Sequence, residues 1–197
     1  MATQGDAPPW LYDHKAECAR GGARLICTEG QVTHQPTDRT VENLTTWEFD
    51  LAKMSWEFIE TKPFQRWILL REDESYNDLW GIEQVARANR SSRKSTIAER
   101  YRTEFEERGL IVDVELFEGR FSPPIPHRKI EPDTASEDHK THRILIDDVV
   151  VRFTEDRHEI VVTVEGELPM KTLEALEQHG LRTYSTLEGV PYKSVRL

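Results

Sequence analysis

The residues best placed by type and spacing to do chemistry are two carboxylates, Asp148 and Glu165. They stand in two β-branched runs, Arg143 to Phe153 and Glu159 to Glu167, separated by the polar Thr154-Glu155-Asp156-Arg157. That composition predicts one antiparallel hairpin over residues 143–165. With the turn centred on Glu155-Asp156, Val151 faces Ile160, Val149 faces Val162 and Arg152 faces Glu159. Leu145, Val149, Val151, Ile160, Val162 and Val164 then share a buried face. Asp148, Arg152, Glu159, Thr163 and Glu165 share the opposite one, with Asp148 opposite Thr163 and within diagonal reach of Glu165. Two carboxylates gathered in this way suit Mg²⁺ and phosphodiester hydrolysis, because hard divalent ions prefer oxygen ligands.

The order of elements from residue 94 to 187, with an acid on each of two successive strands, resembles the restriction-endonuclease-like nuclease core. The resemblance implies Asp148 and Glu165 as metal-holding acids. That core has a lysine two residues after its third-strand acid, and here the chain reads Glu165-Gly166-Glu167. The general reading of the hairpin's polar face is a solvated sheet surface with an Arg152–Glu159 pair.

Two other clusters carry weaker chemistry. His139-x-x-His142, with His127, Glu137 and Asp138 near it in sequence, has the spacing of zinc ligands on one helical turn. No cysteine accompanies them, and their proline-rich surroundings favour solvated loop histidines. Residues 82–103 hold six Lys/Arg against two acids, so Ile82–Ala86 and Ser91–Ala98 read as two helices of a helix-turn-helix. Arg90, Arg93 and Lys94 would then meet phosphates. The Glu106-Glu107-Arg108-Gly109-Leu110-Ile111 passage resembles the helix-to-wing junction of winged-helix repressors. Against a DNA-binding role, the whole chain carries a net charge of −10, which disfavours polyanions. No Gly-x-Ser-x-Gly or glycine-rich phosphate loop supports nucleophilic or nucleotide chemistry. No cofactor and no resident metal is expected.

The elements that must position these residues read as follows. Val41, Leu44, Trp47, Leu51, Met54 and Phe58 fall at spacings of three and four, which predicts a helix over 41–60 stopped by Pro63. Ala23–Thr28 reads as a short strand, and 64–70 as either strand or helix. Helices are expected from Ser75 to about Asn89 and from Lys94 to Arg108, the second burying Ile97, Tyr101 and Phe105. Leu110–Phe117 reads as a strand, Pro169–His179 as a short helix ended by Gly180, and Leu181–Leu187 with Val190–Leu197 as a closing pair of strands. The fold class is therefore α+β: a helix-rich N-terminal part (1–118), a Pro-rich linker or long loop (119–142), and a hairpin–helix–hairpin part (143–197) whose mixed or antiparallel sheet shares a core with 94–118.

With two cysteines, no signal peptide in the reading of the first residues, and Trp67–Leu70 as its longest apolar run, the chain is expected to be cytoplasmic and independent of membranes. The leading functional expectation is a non-catalytic interaction module, of inhibitor, immunity or assembly type, binding a basic partner protein. Phe49 and Trp56, off the 41–58 stripe, are its expected contact residues. The metal-dependent nuclease built on Asp148 and Glu165, and the nucleic-acid-binding regulator using 82–102, are the alternatives.

Overall fold

β-branched and aromatic residues recur along the strands formed between positions 11 and 71. The structure, a computed structural model, describes residues 5, 8, 11–34, 39–91, 94–130 and 141–197. Two compact units divide the chain: residues 1–64 with 196–197, and residues 65–195. The first contains β1 (Leu11–Tyr12), β2 (Lys15–Ala19), β3 (Arg24–Thr28), β4 (Gln31–His34), β5 (Arg39–Glu42), β6 (Thr45–Asp50) and β7 (Ser55–Thr61). They make a four-stranded antiparallel sheet, β2-β3-β6-β7, and a three-stranded one, β1-β4-β5. Asn43 turns the corner from β5 into β6. Its buried amide donates to the carbonyls of Glu29 and Thr45 and accepts from the Thr45 N–H.

The second unit contains β8 (Arg66–Arg71), α1 (Leu79–Ser91), α2 (Thr96–Glu107), α3 (Val114–Gly119), β9 (Arg128–Ile130), β10 (Thr141–Ile146), β11 (Val149–Glu155), β12 (Ile160–Glu165), α4 (Met170–Glu188) and β13 (Tyr192–Arg196). One six-stranded sheet runs β13-β8-β12-β11-β10-β9, antiparallel at every pairing from β8 to β9. Cross-strand partners put Trp67, Leu69, Ile144, Ile146, Val151, Phe153, Ile160, Val162 and Val164 on one face, and all are buried. α4 lies against this face through Gly180, where a Cβ would stand 2.7 Å from Leu69 Cδ1.

The helical N-terminal half expected from the sequence is not found. Among the described residues there are thirteen strands in three sheets and four α-helices, so the molecule is mostly antiparallel sheet. The apparent helix at 41–60 is β5, β6 and β7. Its three-and-four stripe counted Leu51 and Met54, which sit in the β6–β7 turn, where Asp50 Oδ1 accepts the N–H groups of Ala52 and Lys53. Threonines, tryptophans and phenylalanines on either side prefer a pleated surface. The expected strand at 110–117 is instead coil followed by α3, because Asp113 caps a helix by accepting from the Leu116 N–H. Of the expected C-terminal hairpin, Leu181–Leu187 is helix and only the second strand is found, as β13: Gly180 is a contact point within α4, and the left-handed Gly189 ends it. Segment 119–142 contributes buried Arg120 and Phe121 and the strand β9, while 131–140 lie outside the described residues.

The 143–165 hairpin is a three-stranded meander. Asp147 and Asp148 both have positive φ, 47° and 63°, and form a two-residue turn between β10 and β11. The second turn is Arg157-His158, closed by Asp156 N–H to Glu159 O at 2.9 Å, so Arg152 faces Thr163 and Val151 faces Val164. The β11–β12 register thus differs from the expected one by four residues. An even shift keeps each side chain on its face, which is why Val151, Ile160, Val162 and Val164 are buried as read. Leu145 is on the other face, since the missed turn reverses the alternation before it.

Directly opposed strand residues have Cα atoms near disulfide distance. Arg152→Cys with Thr163→Cys is therefore expected to oxidise to an intramolecular disulfide, whereas Arg152→Cys with Glu159→Cys is not. Free-thiol counting after mild oxidation separates the two registers.

Candidate functional site

The segment leaving β8 is pulled inward by a buried cation. Arg71 donates from Nε and Nη2 to Asp73 at 3.0 and 2.7 Å, and from Nη1 to the Tyr76 carbonyl, Asp78 and Glu188 at 3.1, 3.3 and 3.2 Å. Glu188, at the end of α4, also accepts the Asp78 N–H at 3.1 Å, and Arg108 from beyond α2 reaches Asp78 at 2.8 Å. Asn77 is tied to the β11–β12 turn: its N–H donates to Arg157 O at 3.0 Å and its side chain to Asp156 O at 2.6 Å. Strand end, helix start and hairpin tip are thus held around one place.

That place is an open groove of about 670 Å³ between the start of α1, the face of α2 and the Arg157-His158 turn. Three aromatics line it. Tyr76 is 51% exposed and Trp80 55% exposed, and Tyr101 is half-buried with its ring edge-on to Trp80 at 5.4 Å and 79°. Two arginines already rest on these rings, Arg157 over Tyr76 at 4.2 Å and Arg100 over Tyr101 at 5.9 Å. Glu83, Glu104 and Asp156 are further lining residues, with Glu155 and Asp78 contributed by the scaffold. Gly81 fixes the spacing of α1 on α2: a Cβ there would lie 2.5 Å from the Tyr101 ring and 2.9 Å from Phe105 Cζ.

Glu155 belongs to a second buried cluster. Arg120 donates to it twice, at 2.8 and 3.1 Å, and the Tyr184 hydroxyl donates at 2.9 Å. The Arg120 guanidinium is sandwiched between the rings of Phe117 and Phe121, at 3.8 and 4.2 Å. Burial, then the nearby Glu155 charge, pushes the Tyr184 hydroxyl far above its ordinary value. Carboxylates committed to guanidinium and hydroxyl partners in this way hold the scaffold.

The residues expected from the sequence lie as follows. Asp148 occupies the β10–β11 turn, not the position opposite Thr163, and no hydrogen bond or ion pair joins it to Glu165. Glu165, at the end of β12, is paired with Arg152 across the strands. Phe49 and Trp56 are brought together as opposed residues of β6 and β7, rings 4.7 Å apart, with Phe49 only 9% exposed and Trp56 half-buried. Arg90 stands in the last turn of α1 and pairs with Glu118 of α3, Lys94 is exposed in the α1–α2 connection, and Arg93 lies outside the described residues. His142 stacks on Phe121 at 3.8 Å, and burial, then Arg120, lowers its pKa. His127 Nδ1 contacts Ile125 O, and His139 is outside the described residues. Among the described residues, no group of three His, Cys, Asp or Glu could hold a metal ion.

Sequence reasoning missed the groove. A local signal existed: Trp80 is one position off the buried stripe of Leu79, Ile82, Val85 and Ala86, so it had to face outward. Ile97, expected in the core, is exposed on the same side of α2 as the half-buried Tyr101, while Phe105 is buried as expected and Ala98 is buried with it.

Gly81→Ala should lose about 1–3 kcal/mol in urea unfolding, because the overpacking against Tyr101 and Phe105 exceeds the ~1 kcal/mol gained in helix propensity. A gain in stability would show that α1 and α2 are not in contact there. A second expectation concerns pH. Burial, countered in part by Arg71, raises the Glu188 carboxyl from 4.5 to about 7, with Asp78 and the protonated Tyr192 facing it. The folded state therefore holds the extra proton, and this contribution is full below the unfolded value and lost as pH rises through about 7. Such a shift corresponds to about 3 kcal/mol. Asp73, lowered to about 2 mainly by the Arg71 hydrogen bond, acts in the opposite sense, its contribution being lost only as pH falls toward that value. Between about pH 5 and 8 the melting temperature of Glu188→Gln should therefore rise relative to the unsubstituted chain. A constant gap would show that Glu188 does not titrate there. Comparison of the chain with protein-family models, curated proteins and solved structures finds no match.

Proposed function

We propose that this chain is a non-catalytic, cytoplasmic protein-interaction module that takes its partner in the groove of α1, α2 and the β11–β12 turn. The observation that carries the reading is Trp80, a tryptophan 55% exposed beside Tyr76 and Tyr101 in a groove of about 670 Å³. Large aromatics in a concave site are the usual anchors of protein recognition. The free Cys18 and Cys27 agree with a reducing compartment, and no described helix is long and apolar enough to cross a membrane. Phe49 and Trp56, on the β6–β7 ribbon, form a second aromatic surface with Trp47 and Phe58, but its most exposed member is Phe58.

The test is co-purification of the tagged chain from cells of its source organism, in parallel with Trp80→Ala and Phe58→Ala variants. A stoichiometric partner protein recovered with the unsubstituted chain and with Phe58→Ala, and lost with Trp80→Ala, is the expected result. A partner lost only with Phe58→Ala would move the contact to β7. Cleavage of labelled DNA or RNA with Mg²⁺ by the purified chain, abolished by Asp148→Asn or Glu165→Gln, would replace the reading with the nuclease one.

A further inference from the structure

We infer that the groove is built to take an arginine side chain from a basic segment of the partner protein, stacked on Trp80 and flanked by Glu83 and Glu104. This rests on the reading of the groove as a protein-binding site. Of its three aromatics, Tyr76 and Tyr101 already carry a guanidinium of the chain itself, Arg157 and Arg100 respectively, at 4.2 and 5.9 Å. Trp80 is the most exposed of the three, indole is the strongest cation–π partner, and no cation of the described residues lies over it. Its contact with Tyr101 is edge-on at 79°, which takes up at most one face of the indole.

The carboxylates of the groove complete the argument. Asp78 is held by Arg71 and Arg108, and Glu155 by Arg120. Glu83 pairs with Arg87 only at the surface, where such a pair is worth little. Glu104 and Asp156 line the groove with no ion-pair partner among the described residues. Carboxylates unspent on buried cations, beside an unoccupied indole face, repel a phosphate and attract a cation. Arginine suits them better than lysine, because its planar fork both stacks on an indole and meets a carboxylate with two N–H groups. The net charge of −10 steers a basic segment toward the molecule.

The probe is a nine-residue peptide of three Gly-Arg-Gly repeats, compared with its Lys and Glu counterparts by calorimetry at about 0.15 M salt. Trp80→Ala is expected to weaken binding of the Arg peptide about threefold to tenfold, and Trp80→Phe to weaken it less. Glu104→Gln should weaken it, while Glu57→Gln, the same charge change on β7 outside the groove, should leave it within about twofold. Arg157→Ala, which removes a like charge and bares Tyr76, should tighten it. Equal losses from Glu104→Gln and Glu57→Gln, or no loss from Trp80→Ala in a variant with an unchanged melting temperature, would reduce the binding to unspecific charge attraction and overturn the inference. So would binding of a single-stranded oligonucleotide, but not the peptide, through Trp80. A co-purified partner that depends on Trp80 but is not displaced by the Arg peptide would sink the arginine inference and leave the module reading standing. No partner and no peptide binding would end both.

Discussion

The groove depends on one buried guanidinium. Arg71 sits at the end of β8 with its side chain 7% exposed, among Asp73, Asp78 and a Glu188 side chain that is fully buried. Burying a charge is tolerated only when its hydrogen-bonding capacity is filled, and Arg71 fills its own with three carboxylates and the Tyr76 carbonyl. Because those partners come from the loop before α1 and from the last turn of α4, satisfying one cation fixes three elements of the second unit. Removing one member of such a cluster leaves the others buried and unpaired, so the geometry is held by the cost of its alternatives.

The Arg120 cluster does similar work along the β11 edge of the same helix. A guanidinium between two phenyl rings and bidentate on Glu155 brings α3 and the following loop onto the sheet, while Tyr184 bonds the same carboxylate from α4. One turn before Tyr184, Gly180 lets α4 come close to Leu69. The apolar face of the sheet is thus covered by a helix whose Glu188–Arg71 ion pair and Tyr184–Glu155 hydrogen bond point it in one direction, and hydrophobic burial alone would not choose that direction.

Rigid scaffolding of this kind leaves the functional burden on what is not used up inside. The acids that face one another in the fold are mostly spent on arginines, and what remains at the surface of α1 and α2 is aromatic area with carboxylates nearby. Such a surface is suited to recognition, since exposed Trp and Tyr supply large, stiff contact area at low entropic cost. Gly81 matters to it indirectly: by letting α2 approach α1, it sets Tyr101 against Trp80.

The sequence by itself determined whatever depends on neighbours along the chain. α1, α2 and β3 were legible within a few residues of where they stand. The faces of β11 and β12 were legible because alternation survives an even shift, and so Arg152, Thr163 and Glu165 share a surface as read. What depends on partners distant in sequence was decided only by tertiary structure. Residues 41–60 fit a helical stripe as well as strands, and pairing with β3 selected strands. Gly180 reads as a helix end until Leu69, from β8, is placed beside it. The groove joins Tyr76, Trp80, Tyr101 and Arg157, which lie up to 81 positions apart in the chain, through Arg71 and Asn77 hydrogen bonds that no local pattern records. Local preference sets which way a side chain points from its own backbone, but which side chains meet is set by the burial and hydrogen-bonding demands of the whole chain.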